Sequence, residues 1–208
     1  SFYNEDPKRV VYPTPVVGMI GLVEDLKHVT TMWFKEEGDL IVLLGENREE
    51  LGAGEYLKVV HDLVRGEIPE LDLEKEKRLQ DACLEMIRSG KVKSAHDCAE
   101  GGIAVALAEC CITSPVHLGA RVKLEDKIRT DALLFGESQS RIIITVKPED
   151  ATFLEKIAKK HRIPYCKLGK AEGSSLNIEG MLDLPVSKLE EAYECAIERI
   201  MEKKVEVV

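Results

Sequence analysis

In the stretch AHDCAEGGIAVALAECC, His96-Asp97 and Gly101-Gly102 lie immediately before an apolar run. If that run is a helix, the free N–H groups and positive dipole end at its start make an anion seat. Paired glycines also let a ligand come close to the backbone. A plainer reading is that Asp97-x-x-Glu100 caps the helix start, since two carboxylates there repel a bare phosphate unless a metal or a donor intervenes. Spacing alone leaves both readings open.

A second cluster is LLFGESQSRIIITV, where Gly136, Glu137, Ser138, Gln139 and Ser140 form a polar turn feeding an apolar strand. A carboxylate, hydroxyls and an amide converging there suit a polar ligand, and an ordinary turn accounts for the same residues. The other histidines carry less: His28 reads as part of a strand, His61 and His161 as helical, and His117 as a loop residue. None of them has partners at ligand spacing. Gly52-Ala-Gly54 lacks the third glycine and the strand–turn–helix context of a dinucleotide loop. The six cysteines, Cys83, Cys98, Cys110, Cys111, Cys166 and Cys195, show no CxxC spacing. They are expected to be reduced, buried, cytoplasmic thiols rather than disulfides or a zinc site.

Helices and strands must hold these clusters in place. Leu79, Ala82, Cys83, Met86 and Ile87 recur at helical spacing, with Asp72 as N-cap and Ser89-Gly90 as a stop. Ile103 to Cys111 is apolar nearly all round, which predicts a central helix. Strands are expected at Ala120–Leu124 and Arg141–Val146. Pro148 then opens a helix whose Phe153, Leu154, Ile157, Ala158 and His161 share a face, and a strand follows at Tyr165–Gly169. Together these make a split βαβ unit. The last helix is expected to start with the capping box Ser187-x-x-Glu190 and to run as one stripe through Leu189, Tyr193, Ala196, Ile197 and Ile200.

The 208 residues suffice for one domain with a real core, or for a domain plus part of another. No apolar run approaches the roughly 20 residues that span a bilayer. A formal net charge of −9 weighs against a nucleic-acid binder relying on a broad basic surface and favours small polar substrates or protein partners. Residues 1 to 46 carry four basic and eight acidic side chains and half of the ten aromatics, so a division near Glu46 is expected. Before it, VVGMIGLV, HVTTMWF and DLIVLLG read as strands whose covering layer lies elsewhere. The chain opens at SFYNEDPKRV with no initiator methionine and no export signal. It is expected to be processed or to be a piece of something longer.

Four stretches in order carry a resemblance: Ser1-Phe2-Tyr3-Asn4-Glu5, Pro13 to Asp25, His96 to Ile103, and Leu134 to Arg141. The chain resembles the phosphoribosylformylglycinamidine synthase family of the aminoimidazole ribonucleotide synthetase superfamily. That family's pattern runs roughly GNVSxYNE, PTPVVGxVGLxED, HDxSDGGL and LFGESxSR. The likeness covers the whole chain and corresponds to the C-terminal third of the single-chain enzyme. It implies an α/β (α+β) fold, with residues 47–208 as the complete C-terminal α/β domain of the aminoimidazole ribonucleotide synthetase-like fold. Residues 1–46 would be terminal strands of an incomplete preceding α/β domain.

The implied activity is that of an ATP-dependent carbon–nitrogen ligase of de novo purine biosynthesis. It converts formylglycinamide ribonucleotide, ATP and glutamine-derived ammonia to formylglycinamidine ribonucleotide, with ATP and Mg2+ as cofactors. The implied partners are the N-terminal remainder of the enzyme, a glutaminase subunit and a small bridging subunit, in the cytoplasm, with no nucleic acid and no membrane. Within the family the catalytic histidine and most metal-binding acids lie in the first half, so no catalytic residue is expected here and the piece alone should be inactive. Ser1 matches a substrate-contacting serine. His96, Asp97, Gly101, Gly102, Glu137, Ser138 and Gln139 would face a second nucleotide or phosphate pocket related to the first by pseudo-symmetry. Ala99-Glu100 stands where the family has Ser-Asp, which removes a hydroxyl from that loop. The alternatives are another ATP-dependent member of the superfamily or a non-catalytic scaffolding and docking domain.

Overall fold

The computed structural model describes residues 5–6, 9–10 and 15–205, with side chains from 15 to 201. Ser1, the expected substrate contact, lies outside the described residues. The chain begins with a two-residue antiparallel pair, β1 (Glu5–Asp6) and β2 (Arg9–Val10), and reaches β3 (Leu40–Leu44). Then follow α1 (Glu55–His61), α2 (Leu73–Arg88), β4 (Val92–Asp97), α3 (Gly102–Ile112), β5 (Ala120–Val122), α4 (Thr130–Phe135) and β6 (Ile142–Val146). The remainder is α5 (Ala151–His161), β7 (Tyr165–Ala171), β8 (Ser175–Ile178), β9 (Leu182–Pro185), α6 (Val186–Glu194) and α7 (Ala196–Val205).

Seven strands form one sheet in the order β4-β6-β3-β7-β5-β8-β9, antiparallel throughout except for the parallel pair β5–β8. β3 lies inside it, and its residues alternate between two cores. Ile41 and Leu43 pack with Ile103 and Leu107 of α3, Leu133 of α4 and Val186 of α6. Val42 and Leu44 pack with Leu79 and Met86 of α2 and Leu154 and Ala158 of α5. A strand covered on both faces needs apolar residues at every position, which is why LIVLL reads as an unbroken run. β6 and β7 both run antiparallel to β3, so they are parallel to each other with one strand between them, joined through α5. This is the split βαβ unit that the sequence predicts.

α2 keeps its predicted ends: Asp72 Oδ1 accepts the Lys75 N–H at 2.9 Å, and Gly90 turns the chain out at φ 72°. α5 differs on one position. Leu154, Ile157 and Ala158 are buried, whereas Phe153 is 45% exposed beneath the Lys91 ammonium. The Ser187-x-x-Glu190 capping box does not form. Helix α6 starts at Val186 with Pro185 at the cap, so Ser187 is already inside the first turn, and Glu190 faces His117 Nδ1 at 3.4 Å. The expected single last helix breaks at Cys195, and Tyr193 and Ile197 point to solvent.

The leading segment departs most from expectation. Residues 16–23 form no strand, and Val16, Met19 and Ile20 are almost wholly exposed. A strand is held by neighbours that pair its N–H and C=O groups, and this apolar segment lies beside none among the described residues. HVTTMWF is likewise no strand: its His28 ends the short turn Leu26–His28, and the rest is a strap. β3, placed by composition before a division near Glu46, is hydrogen-bonded on both edges to strands that come after it. Of the six cysteines expected to be buried, Cys83, Cys98, Cys110 and Cys111 are buried as free thiols. Cys166 is exposed and Cys195 half-buried, against expectation. Burial pushes the Cys83 thiol up to about 11 and those of Cys98 and Cys111 to about 12. No helix among the described residues is long and apolar enough to cross a membrane.

Candidate functional site

The two polar clusters of the sequence meet because β4 and β6 pair antiparallel, with His96 opposite Ile143 and Asp97 opposite Ile142. The end of the first motif therefore lies beside the start of the strand that follows the second. One further bond continues the contact past the strands, from the Cys98 N–H to the Arg141 carbonyl at 3.0 Å.

At the start of α3 the expected cap by Asp97 or Glu100 is replaced by glycine geometry. Gly101 is the N-cap at φ 78° and Gly102 the first helical residue at φ 69°, both in the left-handed region that favours glycine. A Cβ on Gly102 would lie 2.6 Å from the Gly136 carbonyl oxygen, so the close approach of the two loops also requires glycine. The carboxylate at this helix start comes from elsewhere in the chain. Glu137 Oε1 accepts the Gly101 N–H at 2.9 Å and the N–H of Glu55, at the start of α1, at 2.8 Å. Gly54 is fitted to it as well, since a Cβ there would stand 3.2 to 3.3 Å from the Glu137 carboxylate atoms.

Arg141 shapes the turn that carries Glu137. Its guanidinium is buried; Nε donates to the Ser138 carbonyl at 2.9 Å, Nη2 to the Gly136 carbonyl at 2.6 Å and Nη1 to Asn47 Oδ1 at 2.9 Å. Desolvation lowers its pKa, but an arginine stays charged. Ser140, at φ 60°, donates from Oγ to Glu76 Oε2 at 2.6 Å and so ties the turn to α2.

The structure thus joins Gly101, Gly102 and Glu137 in one contact set. Ser138 is buried next to Arg141, with its Oγ 3.5 Å from the Arg48 carbonyl, and Gln139 is exposed with its amide on the Glu137 carbonyl at 3.1 Å. His96 faces away from this set: Nε2 lies 2.8 Å from Glu109 Oε2 on α3, and Nδ1 lies 3.6 Å from Asp97 Oδ1. The Asp97 side chain is 72% exposed. Among the described residues no three histidine, cysteine or acidic side chains gather as a metal site.

Residues 36–179 match the family "AIR synthase related protein, C-terminal domain". The chain belongs to this family. Curated relatives carry the name phosphoribosylformylglycinamidine synthase subunit PurL. That of Caldanaerobacter subterraneus subsp. tengcongensis is 46% identical over 98% of this chain and 28% of its own length. That of Moorella thermoacetica is 47% identical over 85% of this chain and 24% of its own. The chain therefore spans only about a quarter of the curated relatives it matches. Among solved structures, T. maritima PurL complexed with FGAR superposes with a TM-score of 0.67 at 24% identity, covering 79% of this chain and 30% of that one. T. maritima PurL complexed with ATP gives 0.61 over 79% of this chain and 28% of that one. These likenesses establish the fold as that of the AIR synthase-related C-terminal domain.

Within this domain the sequence assigned no site role to three partners of the motifs: Arg141, Gly54 and Asn47. Arg141 closes the LFGESQSR motif, and a lone arginine entering an apolar strand was a visible signal of a buried, hydrogen-bonded cation. Gly52-Ala-Gly54 is no dinucleotide loop, and its last glycine sits where a Cβ would crowd Glu137.

Proposed function

We propose that this chain is the C-terminal part of a phosphoribosylformylglycinamidine synthase acting in de novo purine biosynthesis. The observation that carries the reading is 46% identity running over 98% of the chain to a subunit of that name, through the motifs that meet at β4, α3 and β6. In the reaction proposed for the whole enzyme, the formylglycinamide oxygen attacks the γ-phosphorus of ATP and ADP leaves. Ammonia then adds to the activated carbon, inorganic phosphate departs and the amidine remains. Glutamine-derived ammonia calls for a glutaminase subunit and a small bridging subunit as partners, and the setting proposed is the cytoplasm.

In this reading residues 1 to about 46 serve the preceding domain, apart from β3, which is built into the described sheet. Ser1 would contact substrate. His96, Asp97, Gly101, Gly102, Glu137, Ser138 and Gln139 would line or shape the second nucleotide pocket. The described residues form no magnesium cage of their own. Mg2+ would enter with nucleotide phosphates, for which one or two carboxylates suffice, and the exposed Asp97 and Glu100 are the residues of this loop with carboxylates to offer.

The decisive experiment compares the isolated chain with the chain supplied with the N-terminal portion of a relative. The chain alone should turn over neither ATP nor formylglycinamide ribonucleotide, and ammonia-dependent amidine formation should return on complementation. Appreciable ATP hydrolysis by the isolated chain would overturn the reading.

A further inference from the structure

We infer that Glu137 is a resident anion: its carboxylate fills the seat at the start of α3 and latches the loop before α1 to it. The inference deepens the pocket proposal by giving Glu137 a role inside it, and it rests on local geometry rather than on the reaction.

The donors of this seat come from two distant parts of the chain, the Gly101 and Glu55 amides, and both converge on Oε1 of one carboxylate. Charge-assisted bonds of this kind are about twice as strong as neutral ones. The Gly101 amide is that of the N-cap of α3, an eleven-residue helix, so the same oxygen lies at the positive end of its dipole. The surroundings are shaped for a carboxylate. Gly102 leaves room where a Cβ would collide with the turn, a Cβ on Gly54 would crowd the carboxylate, and Arg141 pins the carbonyls on both sides of Glu137, those of Gly136 and Ser138. The turn is also held at Ser140 in a left-handed conformation that a serine adopts at a cost. Such a seat is already satisfied, so a phosphate can use these amides only after Glu137 has left them. The start of α3 is then closed to free anions while the latch holds, and opening it releases the Glu55 and Gly101 amides together.

Anion rescue tests this. In the full chain, Glu137→Ala should lower the melting temperature by about 5–10 °C, the loss of two charge-assisted bonds in a chain of this size. It should also raise amide exchange at Gly101 and Glu55 together. Formate should restore about 3–5 °C at tenfold over its Kd and reprotect both amides, while leaving the unsubstituted chain unmoved. Inorganic phosphate at 10 mM should likewise leave the unsubstituted chain unmoved. Glu137→Gln keeps the volume and one acceptor, so it folds if the alanine variant does not. It should lose about half as much stability and show no response to formate. Three results would overturn the latch: a Gln variant as stable as the unsubstituted chain, an Ala variant deaf to formate, or phosphate stabilising the unsubstituted chain through the Gly101 amide. None of these depends on ATP turnover, so failure here leaves the proposed reaction to its own complementation test.

Discussion

Arg141 donates to two backbone carbonyls and one side-chain amide oxygen, so its charge is spent on neutral dipoles at the turn beside the candidate seat. Removing it strands the carbonyls of buried Gly136 and Ser138 and the amide oxygen of half-buried Asn47. Arg141→Met should therefore cost about 3–5 kcal/mol in urea unfolding. Arg141→Lys should recover less than half of that, because one ammonium cannot span the three acceptors that a planar guanidinium reaches. The glycines divide in a similar way. Gly90 and Gly102 both have positive φ, 72° and 69°, but a Cβ on Gly90 would meet nothing within 4 Å whereas one on Gly102 meets the Gly136 and Leu134 carbonyls. Gly90→Ala should cost about 1–2 kcal/mol of backbone strain alone. Gly102→Ala should add about 1–3 kcal/mol of overpacking, and the same urea series separates the two.

Among the elements, α2 is tied to the exit of β3 through Glu46, which receives Lys75 Nζ at 2.8 Å and Arg48 Nη2 at 3.2 Å. The hydrogen bond from Lys75, with help from Arg48, holds the Glu46 carboxyl below its ordinary value. A carboxyl whose folded pKa is depressed contributes stability above its unfolded pKa and loses it as pH falls through the folded value. Glu46→Gln should therefore flatten the fall in stability between about pH 5 and pH 3, read from urea midpoints at each pH. α2, α3, β6 and β7 were legible in the sequence because periodicity or an apolar run coincided with caps and breakers. The 16–23 segment misled for the same physical reason: apolar, β-branched residues describe a strand's side chains but not the neighbour that must pair its backbone. The hairpin β8–β9 and helix α4 were missed because each is six residues or shorter per element, with little room for a pattern. At the candidate site the motif residues were legible, but their division of labour was not. Nothing local says that Glu137 rather than Asp97 serves the start of α3, since that bond spans 36 residues.

Across the whole molecule, the family match begins at residue 36, yet the packing reaches further back. Phe34 is completely buried; its N–H donates to the Cys110 carbonyl and its own carbonyl accepts from Ser114 Oγ, each at 3.2 Å. The Thr31 carbonyl accepts the Ala95 N–H at 3.2 Å, so residues 31–34 strap the end of α3 to β4, the two elements that hold the candidate site. Residues 15–24, by contrast, are exposed and Leu26 is 82% exposed, leaving little apolar surface to lose. A chain beginning at Thr30 should therefore unfold within about 1 kcal/mol of the full chain, whereas one beginning at Glu36 should lose about 3–5 kcal/mol for the emptied Phe34 site. Urea unfolding of the three lengths decides this. Equal losses at both cuts would mean that the leading segment packs on the sheet. No loss at either would show that the strap is dispensable, and the stable unit would then start where the family match does.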